Sequence, residues 1–469
     1  MRTRSGVLGG IRFQPLLQSI CRLKAHAVFI KAKKTCPAYR EFLNKSDWPK
    51  PRWADVSNLP ETTKDNYVRA YSIEDRCYGG AIPRKGVVID ESSGSSGTPN
   101  NWVRGLDERR CVKALMEIAY QLKYGSEDFM LLNCFALGPW ATGMNVSMSM
   151  ADSLILKSIG PDKLKLENTL KLFGNRYRYL ISGYPPFVKD FLNSTDLDLA
   201  EMDVHLIVGG EGMTEGLRDY FLESFKSVYS SFGASDLEIN IAAETDFTVA
   251  LRRLCFKDSA LCEAMFGRTD APMIFQYNPL DYVIETNDDG ELIFTIARLS
   301  NIAPKIRYNL RDFGGTVGYA DALDAVARHG HDVAALRQQR CFPLLYLFGR
   351  SDLTVSFYGA NIYTSDLDHI IHQDPDMVRL IHSFHMQVEE TPKLEKQLRI
   401  SLERTQQDVP VPNAIELRDV IFESLQKHNQ DFREVSKMFS REQFIVDLHD
   451  HATGPFANRD IRLKNCYIG

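Results

Sequence analysis

The pattern of apolar and polar positions switches repeatedly between strand and helix spacing along the first half of the chain. Short runs rich in valine, isoleucine and leucine, which favour strands, occupy residues 86–90, 129–135, 177–181 and 205–208. Stretches whose apolar positions recur at helical spacing follow them, at residues 107–124, 185–192 and 214–226. This alternation predicts a layered α/β domain around a largely parallel sheet.

Ligands of such sheets bind in loops that follow the carboxyl ends of strands. Four loops of this chain follow predicted strands, and they begin at Ser92, Trp140, Gly209 and Phe232. We therefore expect these four loops to share one crevice.

The pattern changes in the second half of the chain. Two strand-like runs, 282–286 and 291–295, flank Asn287-Asp-Asp-Gly290, which is typical of a hairpin turn, and residues 344–348 predict another strand. A smaller α+β unit follows, with a strand at 353–357, a helix at 365–372, strands within 378–390 and 396–403, and a helix at 412–428. The sequence thus predicts two domains, residues 1–350 and residues 351–469.

The first 40 residues carry many basic side chains and no acidic one. This composition is compatible with a transit peptide. Apolar residues nevertheless recur there at helical spacing, at Leu16, Leu17, Ile20, Leu23, Ala27 and Ile30. We favour an integral first helix with its basic side in solvent. Cys36-Pro-Ala-Tyr39 then predicts a helix stop and restart.

Composition excludes several classes of protein. The chain has 469 residues, of which 44% are hydrophobic and 25% charged, and a net charge of −5 argues against nucleic acid as the main partner. Its nine cysteines are scattered without a CxxC pair, which favours reduced thiols and a cytoplasmic location. No apolar run approaches the roughly 20 residues that a membrane span requires.

Residues 92–99, Ser-Ser-Gly-Ser-Ser-Gly-Thr-Pro, offer hydroxyls and accessible backbone N–H groups next to a predicted strand. Such a loop suits polyphosphate, because glycines let the backbone approach the ligand closely. No Gly-Lys-Ser/Thr closes it, so it is not a Walker loop. A flexible linker is the alternative interpretation.

Further motifs follow along the chain. They are Val208-Gly-Gly-Glu211, Ser231-Phe-Gly-Ala-Ser-Asp236, Gly290-Glu-Leu-Ile-Phe-Thr295, Arg307-Tyr-Asn-Leu-Arg-Asp312, Gly349-Arg-Ser-Asp352 and Gly359-Ala-Asn-Ile362. Together with residues 92–99 and in this order, they resemble the adenylate-forming acid–CoA ligase superfamily, and within it the phenylacetate–CoA ligase-like branch. The resemblance covers nearly the whole chain.

The resemblance implies a role for each motif residue. The phosphate loop would consist of Ser92, Ser93, Gly94, Ser95, Ser96, Gly97 and Thr98. Other nucleotide-binding residues would be Gly210, Glu211, Phe232, Gly233, Ser235, Asp312 and Arg350, with Asp312 and Arg350 on the ribose. Asp236 would be the Mg²⁺ ligand, Trp140 an acyl-pocket wall or a core aromatic, Gly359 part of a coenzyme A tunnel, and Asp352 the pivot of a mobile C-terminal domain.

The family's catalytic lysine lies near the C-terminus in a Gly-Lys context. The tail of this chain, residues 454–469, lacks that context, and Lys464 is its only lysine. We assign the role to Lys464, with Arg459 or Arg462 as possible substitutes.

These assignments imply ATP- and Mg²⁺-dependent activation of a small carboxylic acid as its adenylate, with transfer to coenzyme A. Two alternatives stay open: transfer to an acyl carrier protein thiol or an amine, and a non-catalytic nucleotide- or acyl-binding module. The histidine pairs His329/His331 and His449/His451 have no cysteine or carboxylate at ligand spacing, so the sequence does not favour metal there.

Overall fold

The computed structural model describes residues 14–48, 55–92, 100–336, 341–350, 354–363, 366–367, 370–371, 374–405, 412–451 and 453–457. Six of these residues are described by their backbone alone, namely Ser92, Pro186, Arg350, Pro375, Val378 and Arg379. The helices are α1 (Gln14–Thr35), α2 (Pro37–Lys45), α3 (Leu106–Tyr124), α4 (Ala141–Met150), α5 (Lys163–Phe173), α6 (Pro185–Ser194), α7 (Glu215–Leu222), α8 (Asp246–Lys257), α9 (Ser259–Phe266), α10 (Tyr319–Arg328), α11 (Pro375–Leu380), α12 (Ala414–His428) and α13 (Gln430–Val435).

The strands are β1 (Val87–Ser92), β2 (Asn100–Gly105), β3 (Met130–Asn133), β4 (Ile155–Ser158), β5 (Tyr179–Gly183), β6 (Val204–Gly209), β7 (Val228–Phe232), β8 (Ala242–Ala243), β9 (Met273–Tyr277), β10 (Tyr282–Thr286), β11 (Glu291–Ile296), β12 (Tyr308–Val317), β13 (Leu344–Arg350), β14 (Thr354–Phe357), β15 (Ala360–Tyr363), β16 (Ile381–Glu390), β17 (Lys396–Arg404) and β18 (Phe444–His449).

Among the described residues, eleven strands form one large sheet in the order β10-β11-β12-β13-β9-β8-β7-β6-β5-β3-β4. The five strands from β7 to β4 pair in parallel, and their connections are helical, as parallel pairing requires. The pairs from β7 through β10 are antiparallel. The prediction of an α/β fold is confirmed, but the sheet is parallel in only one half. Hairpin connections such as Asn287–Gly290, where Gly290 has φ of +82°, build the other half.

Helix α1 forms as predicted, but the sequence indicated the wrong face. Its buried residues are Leu17, Cys21, Ala25, Val28, Phe29 and Ala32, whereas Leu16, Ile20, Leu23 and Ile30 are exposed. The small residues allow close packing against β10 and the chain around Ala297 and Ile306. The basic side is not all in solvent either, because Lys24 pairs with Asp281 at 3.2 Å.

A second difference concerns the hairpin β1–β2. The sequence predicted a loop running from the first strand directly to a helix, but residues 100–105 form a strand that pairs antiparallel with β1, with Ser92 opposite Asn100. The Ser/Gly segment, residues 93–99, therefore connects two paired strands, although it lies outside the described residues.

The small C-terminal domain has its own hydrophobic core, which extends from Val355 to Val446. The strands β16, β17 and β18 form a sheet in which β17 pairs antiparallel with β16 and parallel with β18. Helices α12 and α13 lie between β17 and β18 in sequence and cover this sheet. The α+β class of this part is confirmed, while the boundary at 350–351 stays a prediction because residues 351–353 lie outside the described residues.

No helix in the described part of the chain combines the length and the apolar character needed to cross a membrane.

Candidate active site

The hairpin that carries the Ser/Gly segment is fixed at its base by a buried charge cluster. The Arg104 guanidinium lies 3.2 Å from Asp90 and 3.1 Å from Glu108, and Asn145 donates to Asp90 at 3.0 Å. The Glu91 N–H donates to the Pro139 carbonyl at 2.9 Å. These contacts hold the entry to the Ser92–Thr98 segment beside the loop that carries Trp140.

The Gly-Gly-Glu segment follows β6 and faces the small domain. Gly210 has φ of +82°, and a Cβ there would lie 2.7 Å from Cε1 of Tyr184, so only glycine fits. The Glu211 carboxylate is buried and accepts from the Gly359 N–H and the Lys396 ammonium. Glu211, predicted to bind the nucleotide, is thus engaged by the C-terminal domain in this arrangement of the chain.

The segment after β7 turns sharply at Gly233, where a Cβ would lie 2.7 Å from the backbone nitrogen of Asn240. The half-buried Phe232 ring contacts Phe275 and Phe294 at centroid distances of 5.9 and 6.2 Å, and could still present a face to an adenine ring. The Ser235 carbonyl accepts from Arg104, which ties this segment to the β1–β2 hairpin.

Asp236 is 6% exposed and its Oδ2 already has two partners. Tyr308 donates to it at 2.8 Å, and the Lys64 ammonium lies 3.3 Å away. Mg²⁺ prefers a carboxylate that offers its oxygens to the metal, waters and phosphates. Because Lys64 stands where a cation would approach Oδ2, the described residues do not fit a resident Mg²⁺ site. Asp236 as a metal ligand stays a prediction that requires Lys64 to withdraw.

The two residues assigned to the ribose come from neighbouring strands. Asp312 on β12 is directly opposite Arg350 on β13, and the register shifts just after this pair, between Phe313 and Gly314. Such a bulge redirects side chains at the end of a ladder. Gly349 adopts φ of +143° within β13, one residue before the strand ends at Arg350, the first residue of the predicted hinge at 350–352.

An open cleft lies between the two domains. It is lined by Trp140 and Ser235 from the large domain, by Gly359 from the small domain, and also by Glu91, Ala136, Ala141, Thr142, Tyr184, Asn361, Asp431, Glu434, Val435 and Met438. Three predicted site residues, Trp140, Ser235 and Gly359, therefore line one cleft, although any two of them are more than 90 positions apart in the sequence. Ser93–Thr98, Asp352 and Lys464 lie outside the described residues.

Three lysines in this region were missed by the sequence analysis. Lys64 and Lys396 neutralise Asp236 and Glu211. Lys305 is buried with its ammonium 3.7 Å from the Trp102 ring centroid, and burial, reinforced by Arg104 and Arg76, lowers its pKa well below the ordinary value. No local pattern signals these contacts, since each depends on partners that are distant along the chain.

The large mixed sheet and the small domain with a cleft between them form the fold of adenylate-forming acyl-CoA ligases. A solved structure of 2-hydroxyisobutyryl-CoA ligase with 2-HIB-AMP and CoA in the thioesterification state matches at a TM-score of 0.64 and 15% identity, over 96% of this chain and 88% of that one. The same ligase in a postadenylation state with 2-HIB-AMP matches at 0.55 and 14% identity, over 98% and 90%. The amide bond synthetase McbA from Marinactinospora thermotolerans matches at 0.50 and 14% identity, over 86% and 70%.

No protein-family model matches the sequence, and no curated protein matches it significantly. At the identities above, the structural likeness establishes the fold alone.

The contact between Glu211 and Lys396 gives a testable prediction about the joint between the domains. Lys396→Met leaves the Glu211 carboxylate, 1% exposed, without its cation, and breaking a buried pair costs about 3 kcal/mol. We expect the domains to separate more readily and limited proteolysis near Asp352 to become at least tenfold faster, releasing fragments of about 350 and 120 residues. Time courses followed by mass spectrometry measure this.

The matched control is Lys393→Met, because Lys393 is exposed on the same connection and should leave the rate unchanged. First cuts confined to other segments in both variants would contradict a joint at 350–352.

Proposed function

We propose that the chain is an AMP-forming ligase of the phenylacetate–CoA ligase-like branch, which activates a small carboxylic acid with ATP and transfers it to the thiol of coenzyme A. The observation that carries the proposal is the interdomain cleft. Its lining includes Trp140, Ser235 and Gly359, the residues that the motifs assign to acid, nucleotide and coenzyme A. A cleft between domains is also where ligand sites occur preferentially.

The reaction would proceed in two steps. An oxygen of the acid attacks the α-phosphorus of ATP, and the bond to pyrophosphate breaks. The thiol, which loses its proton, then attacks the acyl carbon of the adenylate and expels AMP. Negative charge develops at phosphorus in the first step, and fixed cationic or N–H donors stabilise it best.

Each predicted residue has a task in this scheme. Asp312 and Arg350 hold the ribose, and the hydroxyls and amides of Ser92–Thr98 hold the β- and γ-phosphates. Lys464 supplies positive charge to the acid and α-phosphate, and Asp352 is the pivot about which the small domain rotates between steps. No step is assigned to a protein-bound Mg²⁺, because Lys64 occupies the cation position at Asp236.

The acceptor distinguishes this proposal from its alternative. One solved structure of the same fold is named an amide bond synthetase, so proteins of this architecture also use acceptors other than a thiol. Gly359 lines the cleft, and the resemblance assigns it to the tunnel for the pantetheine arm of coenzyme A or of a carrier protein.

The decisive experiment is ATP–pyrophosphate exchange across a panel of aryl and aliphatic acids. We expect exchange with one chemical class of acid, and conversion of that acid to a thioester when coenzyme A is added. Exchange with product formed only on an amine or a carrier protein would support the alternative acceptor. ATP binding without exchange for any acid would instead indicate the non-catalytic module.

Trp140 provides a variant that ties the activity to the cleft. Trp140→Ala removes a large wall of the cleft, so we expect the order of preference among acids to change. Trp48→Ala is the control, because Trp48 packs on Phe29 in a different cluster and should leave that order unaltered.

A further inference from the structure

Three side chains with metal-ligating atoms meet at one end of the small domain's sheet. The imidazoles of His382 and His451 and the carboxylate of Glu403 each offer one ligand atom, and these atoms all lie within 4.8 Å of one another. His451 Nδ1 is 3.1 Å from Glu403 Oε1. The two imidazole centroids are 5.3 Å apart with planes at 72°, so the rings do not stack face to face.

The strand directions explain this convergence of distant residues. The first residues of β16 and the last residues of β17 and β18 lie at the same end of the sheet. This is because β17 runs antiparallel to β16 and parallel to β18. Glu403 lies opposite Ser383 on one neighbour and His449 on the other. The sequence analysis paired His451 with His449 and did not favour metal there, whereas the sheet brings Glu403 and His382 to His451.

His382 reaches the group through an irregularity in the sheet. The register shifts between Ile381, opposite Arg404, and Ser383, opposite Glu403, so His382 is the extra residue of a bulge. Bulges redirect side chains relative to the regular alternation of a strand. His451 lies in the turn that follows β18, two residues beyond its last position.

The three side chains differ in burial, so the group is enclosed at Glu403 and exposed to solvent at His382. The Glu403 side chain is 2% exposed and that of His451 is 23% exposed, whereas His382 is exposed. A metal ion bound by the three side chains would thus contact a buried carboxylate on one side and solvent beside His382 on the other.

We propose that His382, Glu403 and His451 bind one Zn²⁺ ion, with water in the fourth position on the exposed side. Two imidazole nitrogens and one carboxylate oxygen are a ligand set that zinc accepts, with metal–ligand distances of about 2.0–2.2 Å. Ligand atoms around tetrahedral zinc are then about 3.4 Å apart. Closing from 4.8 Å to this distance requires a shift of about 1.4 Å, which the exposed His382 side chain supplies.

The ion would hold the ends of three strands together at the edge of the small domain. Its contribution appears in stability and in metal stoichiometry, and it does not depend on the reaction proposed above. Failure of the adenylation assay therefore leaves this proposal intact, and the converse also holds.

The test uses the full chain after treatment with a chelator. Titration with Zn²⁺ against a chromophoric competitor should show one equivalent bound per chain, and Co²⁺ in its place should give the visible absorption of a four-coordinate site. The midpoint of thermal unfolding should rise with zinc concentration, since only the folded chain has the site. His382→Ala should weaken zinc binding by about 100-fold or more, because it removes a direct ligand where loss of an outer partner already costs 10–100-fold.

Two further variants complete the design. Glu403→Gln should also lose zinc binding. If this variant fails to fold, His382→Ala, which changes an exposed residue, still tests the proposal. His331→Ala is the control, because His331 forms a two-member contact with Asp258 at 2.8 Å and should keep full binding. Absence of a stoichiometric site, or equal zinc affinity in the wild type and His382→Ala, would overturn the proposal.

Discussion

Asp312→Ala is expected to leave the protein folded and to raise the KM for ATP by about 100-fold. A carboxylate that accepts hydrogen bonds from two ribose hydroxyls contributes about 3 kcal/mol, and 1.4 kcal/mol corresponds to a factor of ten. Asp312 lies on β12 opposite Arg350 and is 9% exposed, so thermal unfolding of the variant is measured alongside the KM. Pyrophosphate exchange at varied ATP measures the effect.

Two controls separate ribose binding from a general loss of charge. Asp312→Asn keeps the size of the side chain and one acceptor oxygen, so its KM for ATP should rise less than that of the alanine variant. Asp324→Ala removes an exposed carboxylate from the following helix, α10, and should leave the KM unchanged. If Asp312→Ala has the wild-type KM for ATP, the ribose assignment is wrong.

Local patterning was sufficient for the elements whose burial is regular. The buried runs of β3 and β5 and the hairpin β10–β11 are visible in the sequence because strand spacing and turn residues are local signals. The direction in which distant strands pair is not local. The sequence therefore indicated a largely parallel sheet, and the antiparallel half emerged only from the structure.

Strand β2 shows why a strand that contains a buried charged residue is hard to recognise in the sequence. Its sequence, Asn-Asn-Trp-Val-Arg-Gly, is mostly polar, yet Arg104 is only 4% exposed. Asp90 and Glu108 neutralise the guanidinium, and both are outside the strand. The buried face of helix α1 was predicted wrongly for another reason. Half of its buried residues are cysteine and alanine, so the larger exposed leucines and isoleucines dominate the apolar pattern.

The convergence of two predicted loops on one cleft could be predicted from the sequence, whereas the roles of their residues stay predictions. Trp140, Ser235 and Gly359 line one cleft, as the loops after strands led us to expect for the first two. The pairing of Lys396 with Glu211, 185 positions away, has no counterpart in any motif, and neither has Lys64 beside Asp236. Such ion pairs between distant segments decide which carboxylates are available to a ligand.

The last prediction concerns the cation that the adenylation step requires. Lys464, which lies outside the described residues, is assigned to bring an ammonium group to the acid and the α-phosphate in one orientation of the small domain. Lys464→Ala should reduce ATP–pyrophosphate exchange by about 100-fold or more, since loss of one fixed donor at a developing charge costs that much. Thioester formation from a synthetic acyl-adenylate should be largely spared, because that step uses the rotated domain.

This contrast between half-reactions distinguishes Lys464 from its neighbours and from a structural lysine. If Arg459 or Arg462 supplies the charge, the alanine variant of that arginine will show the contrast and Lys464→Ala will not. Lys437→Ala, which removes an exposed partner of Glu434, should leave both half-reactions at the wild-type rate. Should none of the three tail variants separate the half-reactions, the tail does not deliver the adenylating cation. Charge at the α-phosphate would then have to come from another cation, and the next variants to test would be those of Lys64 and Lys396, which pair with Asp236 and Glu211.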